Sequence, residues 1–326
     1  MPMQGFDPEF QDLPDYIVKI TERIWEGRGV GLIRRWYAED CLVHTPNGEM
    51  HGAEAMVAGT LATLHAFPDR RLLPEDIIWS GDDRRGFLSS HRVSAPSVHL
   101  GDGAYGPPTG REVHFYAIAD CVCLGNRITE EWLVRDEAGI AAQIGLDPVE
   151  HARRLARADL EAGKAPWQAE MARALRDGSF QPHEIADHPA ARQVREALAR
   201  IWRADLDVIR DAYHPACVVR APGNRLLHGH ARLDRMLIGW LSAFPDARFV
   251  VDHSIAMEEP GRPVRVSTRW WMTGTHSGPG AFGPPSGATV VALGVNHHEL
   301  VDGRIRNEWM VADEVAIHRQ IAMHRG

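Results

Sequence analysis

Ala66-Phe67-Pro68-Asp69 returns as Ala243-Phe244-Pro245-Asp246, 177 residues further along the chain, and that echo decides the fold. At the same offset Arg23-Ile24-Trp25 returns as Arg200-Ile201-Trp202, and His51-Gly52 as His228-Gly229. Gly106-Pro107-Pro108 pairs with Gly283-Pro284-Pro285, Arg127-Ile128 with Arg304-Ile305, and Glu131-Trp132 with Glu308-Trp309. Between the Arg23-Ile24-Trp25 and His51-Gly52 blocks the register slips by one, pairing Tyr37 with Tyr213, Cys41 with Cys217 and Pro46 with Pro222, as two compensating single-residue indels would do. Blocks kept in one order at one offset mark an internal duplication.

Within each copy the pattern runs helix, helix, strands. Ile17, Ile20 and Ile24 recur at helical spacing. Met56, Val57, Thr60, Leu61 and Leu64 form a second amphipathic stripe that stops at Pro68. Leu233, Met236, Leu237, Trp240, Leu241 and Phe244 repeat it in copy two. Strand-like runs follow at 71–79, 86–98, 111–124 and 127–135. The last two flank a short turn, as a hairpin does, here and again around Val301-Asp302-Gly303. Helices followed by antiparallel strands predict an α+β fold. The expected organisation is domain one over 1–146, domain two over 193–326, and between them a helical connector over 147–192 with a break from 178 to 189.

The chain has 326 residues, room for roughly two domains. It is 44% hydrophobic and 25% charged, as ordinary globular proteins are. A net charge of -8 argues against a nucleic-acid partner. No run approaches the ~20 apolar residues of a membrane span, so no membrane partner is expected. The N-terminal stretch lacks the basic and apolar regions of a signal peptide, and four cysteines without zinc or redox spacing read as reduced, buried thiols. A cytoplasmic location is the expectation. Walker A, G-x-S-x-G and G-x-G-x-x-G patterns are missing, and nothing in the sequence requires a cofactor or a metal. His297-His298 is no metal pair, because adjacent strand residues face opposite ways.

The A-F-P-D block, the Gly274-Thr275-His276-x-Gly278 run, the Gly283-Pro284-Pro285-x-Gly287 loop and the ending Asp302-Gly303-Arg304-Ile305-x-x-Glu308-Trp309-x-x-x-Asp313 resemble the SnoaL-like polyketide cyclase family of the nuclear transport factor 2-like superfamily. Copy two matches closely and copy one more loosely. The resemblance implies tandem cone-shaped α+β barrels, each a curved antiparallel sheet wrapped around helices and enclosing a small-molecule pocket. It also implies pairing through the sheets, either as a pseudo-dimer within the chain or as a homodimer. Family cyclases carry a His on the penultimate strand and an Asp on the last. Here those positions hold Ala119 and Leu133 in copy one, and Asn296 and Met310 in copy two. The dyad is missing from both.

The family's strand parity implies that Glu131 and Glu308 face the cavity with Leu133 and Met310. A carboxyl in such a low-dielectric cone suits general acid–base chemistry near neutral pH. By the same resemblance His44 and Arg220 occupy a polar cavity position. Asp76 and His253 diverge on the strand after A-F-P-D, and His91-Arg92 matches Thr268-Arg269 in mid-strand, where one of each pair must face inward. The expected catalytic set is Glu131, His44, Asp76, His91 and Arg92, with Glu131 moving the proton, His44 as its partner and Arg92 steadying negative charge. Arg220, His253, Arg269, Glu308 and Asn296 are the expected substrate-binding set. His99, His276, Trp132, Trp309, Asp136 and Asp313 recur in both copies and read as structural, the two Asp as helix caps. The function predicted is a cofactor-independent isomerase, lyase, cyclase or hydrolase of a small organic molecule. The alternative is a binding or scaffold protein in which copy two serves as a structural partner.

Overall fold

In the computed structural model, which describes residues 3–325, Asp12 accepts a hydrogen bond from the amide of Asp15 and so starts helix α1 (Leu13–Thr21). Tyr16, Ile17 and Ile20 make the buried stripe of that helix. A single π-helical turn (Glu22–Glu26) and the short helix α2 (Ile33–Trp36) lead into β1 (Tyr37–Thr45) and β2 (Gly48–His51). Helix α3 (Gly52–Ala66) follows, then a meander of β3 (Leu73–Asp82), β4 (Gly86–Val98), β5 (Glu112–Leu124) and β6 (Arg127–Arg135), and then α4 (Glu137–Gln143).

The chain divides into two compact units, residues 1–135 with 140–146, and residues 136–139 with 147–326. The second unit begins with α5 (Pro148–Glu161), α6 (Gln168–Asp177) and the two-residue strand β7 (Glu184–Ile185). It then repeats the first: α7 (Pro189–Ile201), α8 (Val208–Ala212), β8 (Tyr213–Ala221), β9 (Arg225–His228), α9 (His230–Ala243), β10 (Arg248–Met257), β11 (Val264–Thr275), β12 (Thr289–Val301), β13 (Arg304–Ala312) and α10 (Glu314–Arg325). Residues 147–192, read from the sequence as a connector, pack within this unit. Helix α5 lies along α10, where Asp159 pairs with Arg319, and α6 lies on β10, β11 and β12. Strand β7 adds to the edge of the sheet beside His253 and Ser254, covering hydrogen-bonding groups that an open edge would expose.

Each unit is α+β with one curved sheet, in the order β2-β1-β6-β5-β4-β3 and β7-β10-β11-β12-β13-β8-β9. Two details correct the expectation. The sheets do not close into barrels, and they are not wholly antiparallel, because β1 runs parallel to β6 and β8 to β13. A parallel pair needs a long connection, and the helix and meander between first and last strand supply it. Register shifts fall at matching places in the two sheets, between Pro74 and Asp76 and between Val251 and His253 for example. A bulge bends its strand and raises the local twist, which curves the sheet over its helices.

Asp136 and Asp313 begin α4 and α10, accepting from the amides of Gly139 and Ala316. Asp136 also accepts from Gly223 and Asn224, at 2.7 Å each, within the second unit.

The interiors of the two units differ. Unit two has a large apolar core built on Trp202, Trp240, Phe244 and Trp270. In unit one, among the described residues, the apolar side chains around Tyr16, Ile17, Trp36 and Phe87 and those around Phe67, Tyr105 and Phe115 form separate clusters. His91 and Val93 belong to neither. Val93 is the counterpart of Trp270, and Thr63 that of Trp240, so unit one puts small side chains where unit two puts its largest. Trp270 can lie flat on the sheet only because its cross-strand partner is Gly294, where an added Cβ would sit 2.1 Å from the indole. In unit one the corresponding pair is Val93 and Ala117. Gly294→Ala is therefore expected to destabilise the protein by about 2–3 kcal/mol through overpacking. Adding Trp270→Val should reduce that cost sharply, giving a large coupling in a double-mutant cycle read by urea unfolding. Additive losses would contradict the steric account.

Candidate functional site

Alternation along the strands sorts the predicted residues into two groups. On the inner face of unit one lie Phe87, Ser89, His91 and Val93 of β4, Ala117, Ala119, Cys121 and Cys123 of β5, and Glu131 and Leu133 of β6. Register places Glu131 beside Cys121 and Val43, with Ser89 next across, and Leu133 beside Ala119, with His91 next across. Glu131 is 3% exposed. It accepts a hydrogen bond from the Tyr37 hydroxyl, and its Oε2 has no partner among the described residues. Burial pushes its carboxyl up to about 7, against the smaller opposing pull of Tyr37. The thiols of Cys41, Cys121 and Cys123 surround it and are themselves pushed up by burial, Cys41 to about 12. His91 is buried and held down to about 4 by burial and by the charge of Arg92, so its imidazole is neutral. Its Nε2 and the Ser89 hydroxyl also lack partners among the described residues. A buried polar atom without a partner is costly, and three of them share this one face.

His44 is not on that face. Because β1 pairs parallel with β6, His44 sits opposite Trp132, one residue along from Glu131, and therefore points the other way. It stacks on Trp132 with ring centroids 4.9 Å apart, and its Nε2 meets Glu130 at 2.8 Å and its Nδ1 meets Glu49 at 3.3 Å. The expectation that His44 partners Glu131 is corrected accordingly. Arg92 is corrected too. It lies on the outer face with its Nε 3.2 Å from Glu75, and Asp76 is its cross-strand neighbour there. Only Glu131 and His91 of the expected catalytic set share the inner face.

Unit two repeats this sorting. Arg269 pairs with Asp252 at 2.6 Å, in the positions of Arg92 and Glu75, and His253 lies opposite Arg269 with Glu184 3.9 Å away. Arg220 lies over the Trp309 ring at 4.8 Å, as His44 does over Trp132. These three predicted binding residues line the outer face. Glu308 and Asn296 do come together inside. Glu308 accepts from Tyr213 at 2.9 Å and from Asn296 at 2.5 Å, and His298 Nε2 lies 3.3 Å away. Asn296 in turn accepts from the Trp270 indole at 2.7 Å. Burial pushes the Glu308 carboxyl up, but the His298 charge and the Tyr213 and Asn296 hydrogen bonds outweigh it and leave it below the usual carboxylate value. The space left beside Glu308, Asn296 and Tyr213 is about 20 Å³, room for about one water.

Tyr37 and Tyr213 are the residues that the sequence reading missed. Their recurrence was visible as a marker of the duplication, but strand pairing is needed to set each beside its glutamate. Among the described residues, no group of three or more His, Cys, Asp or Glu side chains is arranged to hold a metal.

A sequence profile described as SnoaL-like polyketide cyclase matches residues 16–144 and again 192–321. Among solved structures, the chain is similar to IdmH of Streptomyces antibioticus at 26% identity over 41% of this chain and 98% of that one, with a TM-score of 0.36. It is similar to AclR of Streptomyces galilaeus at 25% identity, over 41% of this chain and 85% of that one, with a TM-score of 0.35. TsrD of Streptomyces laurentii aligns at 20% identity over 42% and 98%, with a TM-score of 0.36. No curated protein matches.

The state of Glu131 predicts a pH signature in stability. Below pH 4.5, the ordinary carboxyl value, folded and unfolded chains both hold its proton. Between about 4.5 and 7 the unfolded chain releases it first, so stability falls as pH rises, and above 7 the loss is complete. Glu131→Gln removes this component. Wild type should lose about 3 kcal/mol relative to the variant between pH 4.5 and 8, measured by urea unfolding. Asp136 and His91 titrate alike in both proteins and cancel. A pH-independent difference would place the carboxyl elsewhere.

Proposed function

The chain belongs to the SnoaL-like polyketide cyclase family, and on that premise we propose that unit one is the working half of an enzyme that converts a small organic molecule by general acid–base chemistry at Glu131. The observation that carries this is the contrast between the two buried glutamates. Glu308 has a donor on each oxygen, beside His298, and is held ionised. Glu131 has an oxygen left open and a carboxyl balanced near neutrality. A group that gains and loses a proton at about pH 7 serves equally as acid and as base.

In this reading Glu131 takes a proton from the substrate and returns it to another atom, or passes it to a leaving group. Tyr37 fixes the carboxyl and can donate to it as charge develops. Neutral His91 and Ser89, both on β4 and so two strands across from Glu131 on the same face, hold a substrate carbonyl or hydroxyl through Nε2 and Oγ. The positions that carry the family's His and Asp hold Ala119 and Leu133, so the proton work falls to Glu131 alone. Isomerisation, cyclisation, elimination and hydrolysis all fit, and none of them needs a cofactor at this site. The chemistry is that of a small-molecule site, and among the described residues no helix is long and apolar enough to cross a membrane.

The replacement of both dyad residues by apolar side chains favours a second reading, a protein that binds its ligand without converting it. One experiment separates the two. Wild type and Glu131→Gln are incubated with a mixed metabolite extract and followed by mass spectrometry against a heat-killed control. Acid–base catalysis predicts a compound consumed by wild type and at least ~100-fold more slowly by the variant, with the wild-type rate changing around pH 7. Equal consumption by both proteins would remove Glu131 from the chemistry. A compound retained by the protein but unchanged would establish the binding reading.

A further inference from the structure

Inside unit two a tryptophan ring lies between the sheet and the aromatic side chains beneath it. The Trp270 indole rests flat against Gly294, with Phe249 and Trp202 at ring-centroid distances of 5.5 and 6.0 Å. Its N–H is satisfied at Asn296 Oδ1, and Asn296 passes the interaction on to Glu308. A water-sized space remains beside Tyr213 and Glu308. Any buried indole needs an acceptor for its N–H, and here the acceptor is itself held in place. The indole is oriented by a buried amide whose other end is fixed on a buried carboxylate, and the strand opposite carries a glycine that admits the ring. In unit one the three positions are Val93, Ala119 and Ala117, so the ring, the amide and the clearance differ together.

We infer that unit two is a self-occupied copy, in which Trp270 fills a dormant binding site for a flat bicyclic heteroaromatic ring that carries a ring N–H. Glu308 is engaged because the built-in ring reaches it through Asn296. The inference does not rest on acid–base chemistry in unit one, since every residue it uses lies in unit two.

The test vacates the site and offers free indole. Trp270→Ala should lower the unfolding midpoint by roughly 10 °C. Indole should restore several degrees of that loss, beyond any shift it gives the wild type, because a ligand that binds only the folded chain stabilises it. Titration calorimetry should find one more indole site per chain in the variant than in the wild type. Indene, the same shape without the N–H, should restore clearly less, because Asn296 then loses its donor. Should the variant not accumulate in folded form, refolding from urea with and without indole gives the same reading through the folded fraction recovered. No gain over wild type in either assay would overturn the inference. Equal rescue by indole and indene would overturn it as well, since the ring would then be packing filler with no polar address.

Discussion

A glutamate is buried under each sheet facing a tyrosine hydroxyl, and the rest of each interior is organised around how that carboxyl is satisfied. Taking a carboxylate out of water costs several kcal/mol unless charge or hydrogen bonds replace the lost hydration. Unit two answers with hydrogen bonds from Tyr213 and Asn296 and with His298 nearby, and its glutamate is held as an ion. In unit one the counterparts of Asn296 and His298 are Ala119 and Cys121, and only Tyr37 remains. The same backbone position thus yields a fixed ion in one copy and a labile proton in the other.

Packing follows the same division. Where the glutamate is fully satisfied, Trp270, Trp240 and Trp202 join a single core. Where it is not, the corresponding apolar side chains fall into separate clusters, and the neutral His91 belongs to neither. The outer faces, by contrast, are alike. An arginine pairs with an acid on the neighbouring strand in both units, and a cationic or imidazole side chain lies on the tryptophan of the last strand in both. These shared outer contacts hold the sheets, although Asp76 and His253 differ there, while the tyrosine–glutamate pair recurs inside both units.

Much of this was legible in the sequence. The duplication, the α+β class and the helix-capping aspartates could be read from recurrence at a single offset, because a repeated motif carries its structural context with it. The inward direction of Glu131 and Glu308 followed from parity along a strand once the resemblance had fixed one residue. His44 and Arg92 failed for the complementary reason. Parity sorts residues within a strand, but which way a residue points relative to another strand depends on pairing and bulges, and those are set by long-range contacts. The parallel union of first and last strands put His44 on the face of Trp132, and no local pattern announces such a union. Tyr37 was hidden by the rule that demoted recurrent residues to scaffolding. It is scaffolding in both copies, and in one of them the group it supports can also titrate.

The tight approach of Trp270 to Gly294 also constrains history. From a pair such as Val93 and Ala117, two single substitutions reach the pair in unit two, and the order matters. Placing the tryptophan first drives its ring into a methyl group. Removing the methyl first costs only a small, uncrowded gap. The path free of steric clash therefore runs through the glycine, and on the way back a smaller residue at position 270 meets no clash but gives up the packing of the ring.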